Sequence, residues 1–414
     1  MTIWTPDWKL TVAGSDYTQF TLSTLSTSHG RNNIYNQPTA SSIQIEIVEL
    51  DGLSYDFQIN DGITLQVKNS AGVYVTIFGG SISDVQTKVK TSGSNGYTIS
   101  YTLIALGALS RLTRSITDGV LTKANDGDQI YAALESLLLN SWNEVSAELT
   151  WATYSATETW ANAQDVGLGE IDRPGDYELA SRSSSPTDLY TLVSGLATSG
   201  LGYIYENASG EICYADSTHR SQYLASNGYT ELDGNKAIGP GMATTARAAD
   251  VRNNIKLVYK NNAFVNASDT ASEALYGQLG TVITTSLENS TDATSQANFY
   301  LTLRAYPRAN LSQITFPITS PELGNTERDA LLNVFMGQPV NIYNLPNAIS
   351  SGGSFSGFIE GWSWKTSYNG LCLTLYLSPI EYSLQAMKWN NVPITEKWNT
   401  LNTSLDWLNA TIVS

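Results

Sequence analysis

Charge is scarce in this chain: Asp, Glu, Lys and Arg together make up 14% of its 414 residues. A surface with so few of them must be built largely from neutral polar groups, which the abundant Ser, Thr, Asn and Gly supply. Histidine is rarer still, with only His29 and His219 in the whole sequence. Neither has the HExxH or H-x3-H spacing of a metal site, and no GxSxG turn provides a nucleophile elbow. No catalytic residue, cofactor or metal ligand is therefore assigned. The two cysteines, Cys213 and Cys372, lie far apart inside apolar runs (EICYAD and LCLTLYL) and read as buried free thiols. No apolar run approaches the length of a membrane span, and the opening MTIWTPDWKL lacks the basic-then-apolar order of a secretory signal. Folding in a cytoplasm is the expectation.

The charge that is present is mostly acidic, with 38 Asp and Glu against 22 Lys and Arg and a net charge of −16. This opposes attachment to a phosphate backbone, which needs Lys and Arg to displace counterions. Like charge would still let DNA pass through a pore without sticking. Aromatic content of 10%, including 23 Tyr and 10 Trp, argues against disorder, because such side chains need burial or an interface. The length calls for several small units rather than one core.

The fold class read from the pattern is α+β, mainly β: two β-barrel domains flank small mixed α/β domains, followed by an extended C-terminal tail. Residues 1–115 read as a first barrel. Ile43, Ile45 and Ile47 alternate with Gln44, Glu46 and Val48, and Asp51-Gly52, Asp61-Gly62, Ala71-Gly72 and Gly79-Gly80 read as turns. Residues 116–180 form a helix and loop unit, in which Ile130, Leu134, Leu137 and Leu138 make a helical stripe behind Asp126-Gly127-Asp128. In 181–249, a helix capped by Ser185 with Pro186 at its first position precedes a hairpin over Tyr203–Tyr205 and Ile212–Tyr214. Residues 250–315 form an α/β unit that returns to the second barrel. The second barrel, 316–385, holds Phe355–Trp364, where Phe358, Glu360, Trp362 and Trp364 share one parity, and the hairpin signal Asn369-Gly370. Residues 386–414 are the tail.

Three features have a chemical reading beside a structural one. Asp126 and Asp128 could begin a calcium loop, but the position eleven beyond Asp126 is Leu137 rather than glutamate, and helix capping explains them better. Glu170, Asp172, Asp176 and Glu178 could pair for glycoside cleavage, yet read as a solvated loop partly neutralised by Arg173. Trp389, Trp398 and Trp407, spaced nine apart, either fold back on their own chain or dock on a neighbour, the favoured reading. With Trp362 and Trp364 they are the candidate inter-subunit or partner contacts.

The order of these blocks resembles that of the tail-hub, or baseplate-hub, proteins of tailed bacteriophages. IEIVELDG and INDGITLQVKNSAGVYVTIFGGSISDV look like the first barrel of such hubs, and SPTDLYTLVSGLATSGLGYIYENASGEICYAD like their middle α/β element. DVRNNIKLVYK, GQPVNIY, FSGFIEGWSW and LTLYLSPIEY look like the return to the second barrel. The resemblance covers most of residues 40–385 and lies in the ordered set rather than in any one motif. It implies a homotrimeric structural protein at the distal end of a tail tube in the virion, where two barrels per chain adapt sixfold to threefold symmetry. Tail tube or distal tail proteins and tail fibre or spike proteins would be its partners, and DNA would transit without being specifically bound. No lysozyme-like domain accompanies the match. A distal tail or receptor-binding β protein, and less so a glycosidase, are the other readings. Deletion of residues 386–414 is expected to leave a folded chain that assembles more weakly; unaltered assembly of the truncated chain by light scattering would refute the docking role of the tail.

Overall fold

A computed structural model describes residues 4–18, 20–49, 55–93, 96–139, 168–246, 248–307, 310–350, 352–367 and 370–380. The architecture is mainly β, with seven α-helices among the described residues. The two β blocks do not close into separate barrels. They are joined in one 13-stranded sheet. Its main path runs Ala243–Thr245, Asn310–Pro317, Gly370–Pro379, Phe355–Ser367, Phe20–Gly30, Ser42–Glu49, Gly96–Leu106, Tyr74–Gly93, Gly62–Lys68, Trp8–Val12 and Ser15–Tyr17. Off this path, Pro339–Tyr343 pairs with the start of Phe355–Ser367 and carries Thr230–Asp233 in parallel on its other side. No helix among the described residues is long and apolar enough to cross a membrane.

Barrel closure fails because Phe355–Ser367 finds a partner in the other β block. Gly361 pairs with Gly30, Trp362 with His29 and Lys365 with Ser26. Side-chain hydroxyls supplement this seam, with Trp364 N–H donating to Thr27 Oγ1 at 3.0 Å and Leu25 N–H to Thr366 Oγ1 at 2.8 Å. The backbones touch where both residues are glycine. A Cβ on Gly30, whose φ is +72°, would lie 2.5 Å from Glu360 O, and one on Gly361 would lie 2.5 Å from His29 O. No larger residue fits without spreading the seam.

Apolar alternation in the strands places one face of each on a shared core. That core runs from Leu10, Ile45, Leu65 and Leu103 in the first block to Ile314, Trp362, Trp364 and Leu375 in the second. A second core gathers Leu109, Ile130, Val193, Leu196, Leu257 and Leu287 under the central helices. The hairpin Tyr203–Glu206 and Ile212–Ala215 lies between them and is buried on both faces. Tyr203, Tyr205, Cys213 and Ala215 belong to the sheet core, while Ile204, Ile212 and Tyr214 belong to the other. This double burial explains why its strands read as continuous apolar runs rather than alternating ones.

Several local expectations are corrected. Gly79-Gly80 is no turn but lies inside Tyr74–Gly93, where a Cβ on Gly79 would meet Ser209 O at 2.1 Å. The helix expected from Ser185 begins at Leu189, because Asp188 rather than Ser185 is its cap, accepting from Thr191 N–H at 2.8 Å. The parity expected through Phe358, Glu360, Trp362 and Trp364 breaks at a bulge between Ile359 and Gly361. Ile359 pairs with Leu377 on the side of the sheet core, as do Trp362 with Leu375 and Trp364 with Leu373. An extra residue in a strand reverses the side-chain alternation beyond it, so Phe358 and Glu360 face away from that core. Cys213 is buried, whereas Cys372 is only half-buried on the opposite face of its strand; the two do not form a disulfide.

Gly361→Ala is expected to destabilise the chain by about 1–3 kcal/mol, the usual cost of forcing an extra methyl into a packed contact. A urea midpoint equal to wild type would show that the seam can open without cost.

Candidate functional site

The chemistry-bearing residues gather where the loop after Leu168–Ile171 meets the start of the helix His219–Asn227. Asp216 ends the hairpin and opens that helix, its Oδ1 accepting from Thr218 N–H at 3.0 Å and His219 N–H at 2.9 Å. Asp172 Oδ2 accepts from Asp216 N–H at 3.0 Å and from His219 Nδ1–H at 2.8 Å. Asp176 accepts from Ser217. Asp126, fully buried, accepts from Tyr177 N–H at 2.8 Å and from the Tyr214 hydroxyl. Its carboxylate thus ties its helix to two other segments. Asp126 and Asp128 lie in the first turn of the helix Asp126–Leu139, and these longer-range bonds add to that placement. Asp128, meanwhile, pairs with Arg173 at 2.8 Å.

The acidic group 170–178 is less solvated than the sequence suggests. The Arg173 guanidinium pairs with Asp128 and lies 4.0 Å from the centroid of the Tyr131 ring. His219 provides a further partner, at Asp172. Burial pulls the His219 pKa down, but the hydrogen bond and charge of Asp172, helped by Glu170 and Asp216, outweigh it and the net shift is upward. Burial and the neighbouring carboxylates Asp172 and Asp176 push Asp216 up to about 7. Burial drives Asp126 to about 7 against the bonds from Tyr214 and Tyr177. Glu170, Asp172 and His219 place ligand atoms within 4.8 Å of one another and are the described residues that could hold a divalent cation. As placed, His219 Nδ1 and Asp172 Oδ2 bond to each other. Sequence reading missed this pairing because 47 residues separate the partners and neither lies in a metal-binding motif.

A second polar centre lies at the seam. Glu360, pointed away from the sheet core by the bulge, is fully buried and accepts from Arg220 Nη1 at 2.5 Å, Arg220 Nη2 at 3.1 Å, Arg31 Nε at 2.7 Å and Ser378 Oγ at 2.5 Å. Burial raises its pKa, but the two guanidiniums win and hold it near 2. Sequence reading placed Glu360 on a strand face without finding its role.

Of the candidate contact residues, Trp362 and Trp364 are each 1% exposed within the chain's own core. Trp362 stacks on His29 with centroids 4.8 Å apart and planes 9° from parallel. Burial keeps this histidine neutral, its pKa lowered to about 3. Trp389, Trp398 and Trp407 lie outside the described residues, as do Trp142, Trp151 and Trp160.

No family model and no curated protein sequence matches the chain. Among solved structures, the fold is similar to that of the 43 kDa tail protein of prophage MuSo2 from Shewanella oneidensis, at 8% identity and a TM-score of 0.51, with 91% of this chain and 98% of that one covered. It is also similar to that of a tail protein from Neisseria meningitidis MC58, at 12% identity and a TM-score of 0.56, with 92% and 98% covered. At these identities the likeness is one of fold.

The raised pKa of Asp126 has a measurable consequence. Its folded value of about 7 lies above the ordinary 3.8, so the folded chain keeps a proton that the unfolded chain releases. Wild-type stability therefore falls as pH rises through that window. Asp126→Asn fixes the neutral form, and its stability relative to wild type should grow across the window by up to about 1.4 kcal/mol per pH unit. Urea midpoints at mildly acidic and mildly alkaline pH test this; an unchanging gap would contradict it.

Proposed function

We propose that the chain is a structural, non-enzymatic protein of a bacteriophage tail, forming a homotrimeric hub at the distal end of the tail tube. The observation that carries this reading is the extent of the fold likeness: 98% of each of two tail proteins is covered by more than nine-tenths of this chain. A shared domain alone would leave much of one chain unmatched. In the hub reading, the two β blocks of each chain give three subunits six β elements around an axis. A sixfold tube on one side and a threefold tip on the other could then be joined by one kind of chain. The blocks need not be closed barrels for this purpose.

The chemistry of the chain is compatible with such a part. Its net charge of −16 favours DNA passing by rather than binding. Three of the described carboxylates bond elements of their own chain to one another: Asp172 is bonded to His219 and Asp216, Asp126 to Tyr177 and Tyr214, and Glu360 to two arginines. In the virion, the partners would be tail tube or distal tail proteins on one side and fibre or spike proteins on the other.

Static light scattering at micromolar concentration is expected to give a mass three times that of the 44.9 kDa chain. An image of the particle should place the chain at the tube's end on a threefold axis. A strictly monomeric chain under assembly conditions, or its placement away from the tube's end, would sink the hub reading.

A further inference from the structure

A cavity of about 230 Å³ opens where the segment after Phe20–Gly30, the hairpin 203–215 and the helix Ser290–Arg304 meet. Three guanidiniums line it: Arg31, Arg220 and Arg304. Arg31 and Arg220 share the single carboxylate of Glu360, and their side chains are 7% and 6% exposed. Among the described residues, one carboxylate between these two guanidiniums leaves a positive charge without a counter-ion where both side chains are nearly closed to water, an arrangement that favours an incoming anion. Arg31 donates through Nε to Glu360 and through Nη1 to Asn36 O at 2.9 Å, and among the described residues Nη2 has no hydrogen-bond partner.

Arg304 brings the third positive group to the wall. Its guanidinium lies 3.9 Å from the centroid of the Tyr35 ring, and Nε donates to Asp250 O at 3.2 Å. Asp216 also lines the cavity, but its Oδ1 is bonded to the helix start through Thr218 and His219 N–H, and among the described residues it forms no ion pair with Arg31 or Arg220, whose carboxylate partner is Glu360. The remaining wall is mixed: Asn36, Gln37, Thr198 and Thr281 contribute polar groups, while Ile34, Ile283, Phe299 and Leu303 form an apolar part beside Arg304. That apolar part suits an organic body better than a fully hydrated inorganic ion.

We infer that this cavity is a binding site for a single carboxylate carried on an apolar body, the acid facing Arg31 and Arg304 and the body resting against Phe299 and Ile283. Guanidinium forks match carboxylate geometry, and charge-assisted bonds in a partly closed site are the strong ones. The acid could come from a free small molecule or from the end of a polypeptide; both present the same group.

Isothermal titration calorimetry on the full chain distinguishes these. Phenylacetate probes the free acid and N-acetyl-phenylalanine the polypeptide end, with 2-phenylethanol and phenethylamine as neutral and cationic controls. At least one acid should bind with a Kd of about 1 mM or tighter, and the controls about tenfold more weakly or not at all. Whichever acid binds more tightly identifies the source. Arg304→Gln, at the cavity wall and outside the Glu360 ion pairs, should weaken acid binding about tenfold in a chain that still unfolds in one cooperative thermal transition. Phe299→Ala should weaken the acids and the alcohol alike. Equal binding of acid, alcohol and amine would reduce the site to an apolar hole. Failure of both acids to bind, or full affinity in Arg304→Gln, would equally overturn the inference.

Discussion

The two β blocks hold together through a carboxylate that one extra residue turns out of a strand. Without the bulge at Glu360, strict alternation would bring that side chain onto the face occupied by Trp362 and Trp364, burying a charge among apolar groups. With it, Glu360 meets Arg31 from the end of the first block and Arg220 from the central unit. Three segments distant in sequence are fastened at one point. Removing one partner of such a buried cluster is costly, on the order of 3–5 kcal/mol, because the remaining charges stay out of water. The paired glycines Gly30 and Gly361 let the backbones approach closely beside this point, and the ion cluster fixes which residues meet there.

Other buried acids serve the same purpose on a smaller scale. Glu206, at the end of the doubly buried hairpin, accepts from Ser41 N–H at 2.6 Å and from Leu109 N–H, linking the sheet to the first helix. Burial pushes its pKa to about 7 against those two donors. Asp126 links a helix to Tyr177 and Tyr214, and Asp172 links its loop to the start of the helix His219–Asn227. A chain with few charges thus places several of its carboxylates where one acceptor satisfies backbone or side-chain donors of two elements. Each of these is a long-range bond, and each resists a different unit coming loose.

These long-range bonds mark the limit of what the sequence makes legible. Alternation identified the strands at Ile43–Ile47 and in the 355–379 hairpin, and an apolar stripe identified the 189–199 helix, since both signals are local. Caps were harder: Ser185-Pro186 carries the expected signature, but Asp188, three residues on, provides the hydrogen bond. The bulge was invisible because a single added residue leaves no compositional trace, so parity was carried through it. Gly79-Gly80 looked like a turn and serves instead as a place of close approach. The pairing of His219 with Asp172, and the joining of two expected barrels into one sheet, depend on which segments meet in space. Neither could be read from spacing.

The joined sheet also bears on how copies of the chain could meet. Its terminal strands Ser15–Tyr17, Ala243–Thr245 and Thr230–Asp233 are three or four residues long, so each offers few unpaired backbone groups to a neighbour. Edge-to-edge extension of the sheet would therefore be weak. Side-chain surfaces are better placed to carry contacts. The hairpin formed by Tyr74–Gly93 and Gly96–Leu106 extends beyond the core and exposes 60% of Val89 and 71% of Tyr97, with Lys88 and Lys90 beside Val89. An aromatic and a β-branched residue among lysines on a paired ribbon provide apolar contact area on a backbone already satisfied by its own ladder. In the trimeric arrangement proposed above, such a ribbon could pack against a neighbour without offering a free edge for indefinite growth, as a closed ring requires and an open fibre does not.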